Sequence, residues 1–62
     1  MAKNTAAFTG VTLMGETITI ESGDMVIIDG IEYCIEDVYE DGCFFAVSND
    51  GDENWFEIDD IG

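Results

Sequence analysis

Fifteen carboxylates against a single lysine give this 62-residue chain a formal charge of −14, and it contains no histidine. Carboxylates alone support two chemistries, general acid–base work by a pair and cation binding by a cluster. Paired Asp and Glu hydrolyse glycosides when they flank a cleft that excludes water, but a domain this small offers little cleft. The usual bases, oxyanion donors and phosphate clamps are also missing, because the one cation, Lys3, sits in a loose N-terminal stretch. The chain therefore reads as a non-enzyme. The run Asn49-Asp50-Gly51-Asp52-Glu53-Asn54 has the composition of a calcium loop. With Gly51 at the sixth position of an EF-hand loop, however, the first and third ligand positions fall on Ala46 and Ser48, which do not supply the leading carboxylates. A hairpin loop is the better reading, and no metal or cofactor is expected.

Cys34 and Cys43 are the remaining reactive side chains. If Asp41-Gly42 is a two-residue turn, Cys43 faces Glu40 and Cys34 lies about 20 Å further along the strand at ordinary rise, whereas a disulfide needs Cα atoms within roughly 7 Å. Two free thiols are expected, in keeping with a reducing compartment. Two cysteines without histidine are also a poor zinc set.

The charge balance says more about partners. It disfavours direct binding to nucleic acid or to an anionic membrane surface, and favours a basic protein or nucleoprotein surface. The longest apolar runs, such as Met25-Val-Ile-Ile28, are four to five residues, far below the roughly 18 of a membrane span. No charged and apolar leader opens the sequence. A cytoplasmic location is the expectation.

The elements that must position these residues are marked by Asp29-Gly30, Asp41-Gly42 and Asp50-Gly51, which cut residues 23–61 into four apolar runs. Asp-Gly between alternating hydrophobics is a strong hairpin signal, and predicts an antiparallel meander. Two-residue turns pair Ile28 with Ile31, Val26 with Tyr33, and Val38 with Phe45. A four-residue loop from Asp50 to Glu53 pairs Val47 with Phe56 and Phe45 with Ile58. The inward face is then Val26, Ile28, Ile31, Tyr33, Ile35, Val38, Phe45, Val47, Phe56 and Ile58. The phase jump from Ile35 to Val38 predicts a β-bulge near Glu36-Asp37. Ahead of the meander, Val11 to Ile20 alternates around Met14-Gly15 as a short hairpin, with Thr17 and Thr19 on one face and Ile18 and Ile20 on the other. Residues 1–10 read as a flexible terminus anchored only by Phe8, and residues 11–62 as one domain. A single helical turn over Asp59-Asp60, with Ile61 closing the end, completes the chain.

The same register leaves Tyr39, Phe44 and Trp55 outside the core, among carboxylates. The candidate contact residues are Glu36, Asp37, Glu40 and Asp41 around the bend, Asp50, Asp52 and Glu53 in the last loop, and Glu57, Asp59 and Asp60 at the end. Tyr39, Phe44 and Trp55 serve as their apolar anchors.

Ser22-Gly23-Asp24 before Met25-Val-Ile-Ile28, the long bent strand Ile31 to Glu40, the turn Glu40-Asp41-Gly42 and the closing Asn54-Trp-Phe-Glu-Ile-Asp-Asp-Ile61 resemble an SH3-like small barrel of the KOW or Tudor type. The implied fold is an all-β antiparallel barrel of about five strands with a bent central strand. KOW-like barrels often bind nucleic acid through basic loops, which this sequence lacks, whereas Tudor-like barrels hold methylated cations in aromatic cages, a role the resemblance implies for Tyr39, Phe44 and Trp55 with their nearby acids. In size, charge and architecture the chain also resembles small phage-encoded inhibitors of the anti-restriction, anti-CRISPR and glycosylase-inhibitor kinds, which present carboxylates where DNA presents phosphates. That resemblance implies a DNA mimic acting in the cytoplasm of a host cell. The alternative is an SH3-like interaction module that binds a peptide or associates with itself.

Overall fold

The computed structural model describes residues 2–61. Its strands are β1 (Asn4–Thr5), β2 (Ala7–Val11), β3 (Thr17–Glu21), β4 (Met25–Ile28), β5 (Ile31–Tyr39), β6 (Cys43–Ser48) and β7 (Glu53–Glu57), followed by a 3-10 turn over Ile58–Asp60. Every pairing is antiparallel. β1, β5, β6 and β7 lie in that order in a five-stranded sheet, in which β4 also pairs with β5, and β2 and β3 form a two-stranded sheet. The protein is thus all-β. Among the described residues the two sheets share no ladder, so the hydrogen bonding does not close into a barrel.

β5 is long because it serves two neighbours on one edge. Its first half pairs with β4 and its end with β1, on either side of a bulge between Ile35 and Asp37. The bulge falls where the phase jump predicts it. The turn between β3 and β4 docks there: Gly23 N–H donates to the Ile35 carbonyl, Ile35 N–H to the Asp24 carbonyl, and the Ser22 hydroxyl to the Glu36 carbonyl at 2.7 Å. Asp29 and Gly30 both have positive φ, 52° and 77°, as a type I′ turn requires. They hold Ile28 opposite Ile31 and Val26 opposite Tyr33, the expected register.

The next turn differs from the expectation. Val38 pairs with Phe44, not Phe45, because the loop has three residues, Glu40-Asp41-Gly42. Gly42 N–H donates to the Tyr39 carbonyl, Cys43 N–H donates to Asp41 Oδ1, and Gly42 takes φ 92°. A slip of one residue turns every side chain to the other face. Phe44 and Ala46 therefore enter the core, while Phe45 and Val47 face out, half-buried. The last hairpin differs as well: Val47 pairs with Glu53 and Phe44 with Phe56. There the Ser48 hydroxyl accepts from Asp52 N–H while Ser48 N–H donates to the Asp52 carbonyl, closing the loop earlier than expected.

The core consists of Ile20, Val26, Ile28, Tyr33, Ile35, Val38, Phe44 and Ala46, with Phe8, Ile18, Phe56 and Ile61 packed against it. Ile31, expected inside, is 49% exposed at the mouth of the β4–β5 turn. The boundary expected at residue 10 falls within β2, and Asn4 and Thr5 pair with Tyr39 and Val38. In the β2–β3 hairpin Ile18 and Ile20 face the core while the hydroxyls of Thr9 and Thr19 meet outside, 2.8 Å apart. No helix among the described residues is long and apolar enough to cross a membrane.

Gly42 couples this architecture to the candidate site. A Cβ there meets Phe8 Cε1 at 3.1 Å in a backbone conformation that disfavours L side chains. Gly42→Ala is expected to lower stability by about 1–3 kcal/mol, read as a lower urea midpoint with unchanged slope. An unchanged midpoint would contradict the three-residue loop.

Candidate protein-interaction face

The bulge and the three-residue loop together decide what the five-stranded sheet shows to solvent. β4 turns Val26 and Ile28 inward, so Met25 and Ile27 point out. Their ladder partners Cys34 and Glu32 share that face, and Val47 and Phe45 continue it on β6. Phe45 pairs with Trp55, and their rings meet with centroids 5.1 Å apart. Tyr39, beyond the bulge, reaches Trp55 from the other side at 5.4 Å, the planes inclined at 45°. Trp55 thus stands between two rings and is still 57% exposed. Contiguous apolar surface ringed by polar groups is the usual mark of a contact site.

Two shallow depressions flank this indole. One, of about 220 Å3, is lined by Ala2, Tyr39, Asp41, Cys43 and Trp55. The other, of about 230 Å3, is lined by Cys43, Trp55, Phe56, Glu57 and Asp60. Among the described residues neither has a cationic side chain in its wall. Asp41 is fixed by accepting from Cys43 N–H at 3.0 Å, and Asp60 by accepting from Glu57 N–H at 2.9 Å. Their charges are consequently held at the rim.

Of the residues expected to make contact, the structure brings Tyr39, Asp41, Trp55, Glu57 and Asp60 together here, with exposed Glu40 and Asp59 in the adjoining turns. Glu36 and Asp37 lie at the bulge, where Asn4 Nδ2 donates to Asp37 Oδ1 at 3.3 Å. Asp50 and Asp52 lie in the loop at the opposite end of the β6–β7 hairpin, whereas Glu53 opens β7 opposite Val47, on the outer face two residues from Trp55. Phe44 is the correction: it is fully buried, and Phe45 takes the outward position. Phe45 was expected on the inward face; Met25 and Ile27, outward by alternation with Val26 and Ile28, were not among the expected contact residues. The reassignment of Phe45 depends on the loop after Tyr39, where Asp41-Gly42 fits a two-residue turn and a three-residue loop equally well.

The β7 edge is blunted. Ile58 N–H donates to Gly42 and Ser48 N–H to Asp52, so the even-numbered positions of β7 face β6 and the odd-numbered ones face outward. Of the outward donors, Trp55 N–H is taken by Asn54 Oδ1 at 3.1 Å and Glu57 N–H by Asp60. Side chains that occupy edge donors discourage the addition of another strand.

Cys34 and Cys43 are free thiols. Cys43 sits between the two depressions. Its thiol is pushed above the ordinary 9.0 by desolvation, then by the Asp41 carboxylate, through charge and hydrogen bonding, and by Glu57. Since the thiolate is the nucleophile, Cys43 in a Cys34→Ser background is expected to react with iodoacetamide at pH 8 measurably more slowly in the folded protein than in urea. Equal rates would contradict the placement of Asp41 and Glu57 around it. No group of three or more Cys, Asp or Glu side chains among the described residues is arranged to hold a metal.

No protein-family model matches the chain, and no curated protein or solved structure shows significant similarity to it.

Proposed function

We propose that this protein is a non-catalytic binding protein that lays the outer face of its five-stranded sheet against a basic protein surface of the kind that otherwise holds nucleic acid. The observation that carries this reading is the exposed Trp55, flanked by Tyr39 and Phe45 and bordered by the Asp41, Glu57 and Asp60 carboxylates, with no cationic side chain among the described residues that line the depressions beside it. Duplex DNA presents a charge about every 1.7 Å of axis, and fifteen carboxylates on a body of 27 × 24 × 18 Å supply a comparable field. Acidic groups at both ends of the β6–β7 hairpin can engage both walls of a basic groove. The mechanism is competition, as in a phage-type DNA mimic or anti-CRISPR-like inhibitor. Charge speeds association, and the apolar face slows release. Self-association through the same face opposes −14 with −14 and needs screening by salt.

The bent β5, flanked by β4, β1 and β6, supports reading the two sheets as an SH3-like small barrel. This favours a second reading, an interaction module whose exposed Trp55 grips a peptide while its acidity maintains solubility. Capture from nuclease-treated bacterial lysate separates the two. The inhibitor reading predicts a nucleic-acid-processing complex that added duplex DNA or high salt releases. A partner indifferent to both, lost on Trp55→Ala but retained when Asp50, Asp52 and Glu53 are reversed, would contradict it and select the peptide module.

A further inference from the structure

We infer that the open edge of β4 is a second contact site, at which an extended segment of a partner protein, apolar in its middle and flanked by lysine or arginine, adds as a further strand. This site works through the backbone, unlike the face around Trp55. Among the described residues β4 (Met25–Ile28) has β5 as its only ladder partner, so its other side is a sheet edge. Ile35 N–H donates to the Asp24 carbonyl, and the two-residue turn sets Ile28 against Ile31. The even-numbered positions of this strand therefore bond to β5, and Met25 and Ile27 turn their N–H and C=O groups to the open side. Among the described residues no loop or side chain takes up those groups. The β7 edge is different, because there Asn54 and Asp60 occupy the outward donors. Met25-Val-Ile-Ile28 holds no proline and no charge. Apart from its shortness it lacks the devices that keep an edge from taking another strand.

What the edge accepts follows from its surroundings. Every ladder in the fold is antiparallel. In that sense, the guest residues that bond to Met25 and Ile27 put their side chains on the outer face beside them. Met25 and Ile27 are 51% and 46% exposed there, so these guest positions call for apolar, β-branched side chains. Asp24 and Asp29 stand at the two ends of β4, about 17 Å apart at ordinary strand rise, and Glu32 lies opposite Ile27. The chain's one cation, Lys3, belongs to the segment before β1. A guest of six or seven residues with a cation at each end thus meets a carboxylate at each end. A second copy of the chain fits less well. An antiparallel pair of β4 strands puts the Asp24 end of one beside the Asp29 end of the other, with −14 facing −14.

The test adds to the full chain a seven-residue peptide in which three valines alternate with two threonines between terminal lysines. Binding at low salt is read from the Met25 and Ile27 amide resonances and their hydrogen exchange, which the peptide is expected to slow about tenfold or more. One twin peptide is N-methylated at its valines and another at its threonines. The first is expected to bind about tenfold or more weakly, because its methyl groups face β4, and the second within about twofold of the parent. A twin ending in glutamates is expected to lose about tenfold or more. Ile27→Lys, at an exposed side chain, is expected to keep the fold and weaken the parent peptide about threefold or more. Equal binding of the two methylated twins, the reverse order, or unchanged exchange at Met25 and Ile27 would overturn the inference. Protection of both amides without peptide, rising with protein concentration alongside a dimer in sedimentation, would overturn the basic guest in favour of a second copy. Salt- and DNA-sensitive capture tests the docking reading separately, and neither result decides the other.

Discussion

Phe44→Ala is expected to leave little folded protein at 25 °C. Phe44 is fully buried, pairs with Phe56 across the last hairpin and packs against its ring at a centroid distance of 5.8 Å. Truncating a buried phenylalanine costs about 3–5 kcal/mol, the lost transfer energy plus that of the cavity left behind. At roughly 0.05–0.15 kcal/mol per residue, a chain of 62 residues has about 3–9 kcal/mol in total. The neighbouring Phe45→Ala removes a half-buried ring from the opposite face and is expected to keep the fold while loosening Trp55. Circular dichroism with urea titration of both variants checks this. A folded Phe44→Ala beside an unfolded Phe45→Ala would mean that the β5–β6 loop has two residues and that the outer face is wrongly assigned.

The second large effect concerns charge. Asp41→Asn, Glu57→Gln and Asp60→Asn together remove three charges around Trp55 while leaving oxygen acceptors for the backbone N–H groups of Cys43 and Glu57. Against the salt-sensitive captured partner, this triple variant is expected to associate about tenfold more slowly or worse at low salt. Its dissociation rate should change less, because Tyr39, Phe45 and Trp55 remain. A variant confined to the loop at the other end of the hairpin, Asp50→Asn with Asp52→Asn, is expected to have a smaller effect, since these carboxylates do not line the depressions beside Trp55. Stopped-flow association at two ionic strengths distinguishes them. If the second variant proves the more damaging, the docking site lies at the β6–β7 loop.

How far the sequence discloses this arrangement depends on the kind of signal each element carries. The β4–β5 hairpin is legible because Asp29-Gly30 leaves two residues between alternating strands and both take positive φ. The bulge is legible because Ile35 and Val38 are both core residues three positions apart, which regular alternation does not allow. The β5–β6 loop is ambiguous: Asp41-Gly42 supplies the positive-φ residue for either loop length, and Phe44 and Phe45 are equally good core candidates. Deciding between them takes the tertiary contact of Phe8 with Gly42 and the hydrogen bond from Glu40 N–H to the Lys3 carbonyl. The strand at Asn4–Thr5 is illegible for a related reason. It is short and polar and is held by the edge of β5 beyond the bulge, so its local composition does not announce a strand.

For the site, the identity of Trp55 and Tyr39 as outward aromatics was readable from alternation, as was their acidic setting. Phe45 is not, because of the slip in register, while Met25 and Ile27 follow from the alternation that turns Val26 and Ile28 inward. That such residues lie outside, at the expense of burial in a chain with little core to spare, supports reading the face as a contact surface.

Two exposed methionines report on different elements. Met25 lies on the outer face of the five-stranded sheet, whereas Met14 lies at the tip of the β2–β3 hairpin, 76% exposed. The most direct test is the methyl spectrum of methionine-labelled protein, together with the Trp55 indole resonance, recorded as the captured basic partner is added. Docking through the outer face predicts that the Met25 methyl and the Trp55 indole shift or broaden together, more than the Met14 methyl does. A perturbed Met14 beside unmoved Met25 and Trp55 would contradict it, and would place the contact on the hairpin tip.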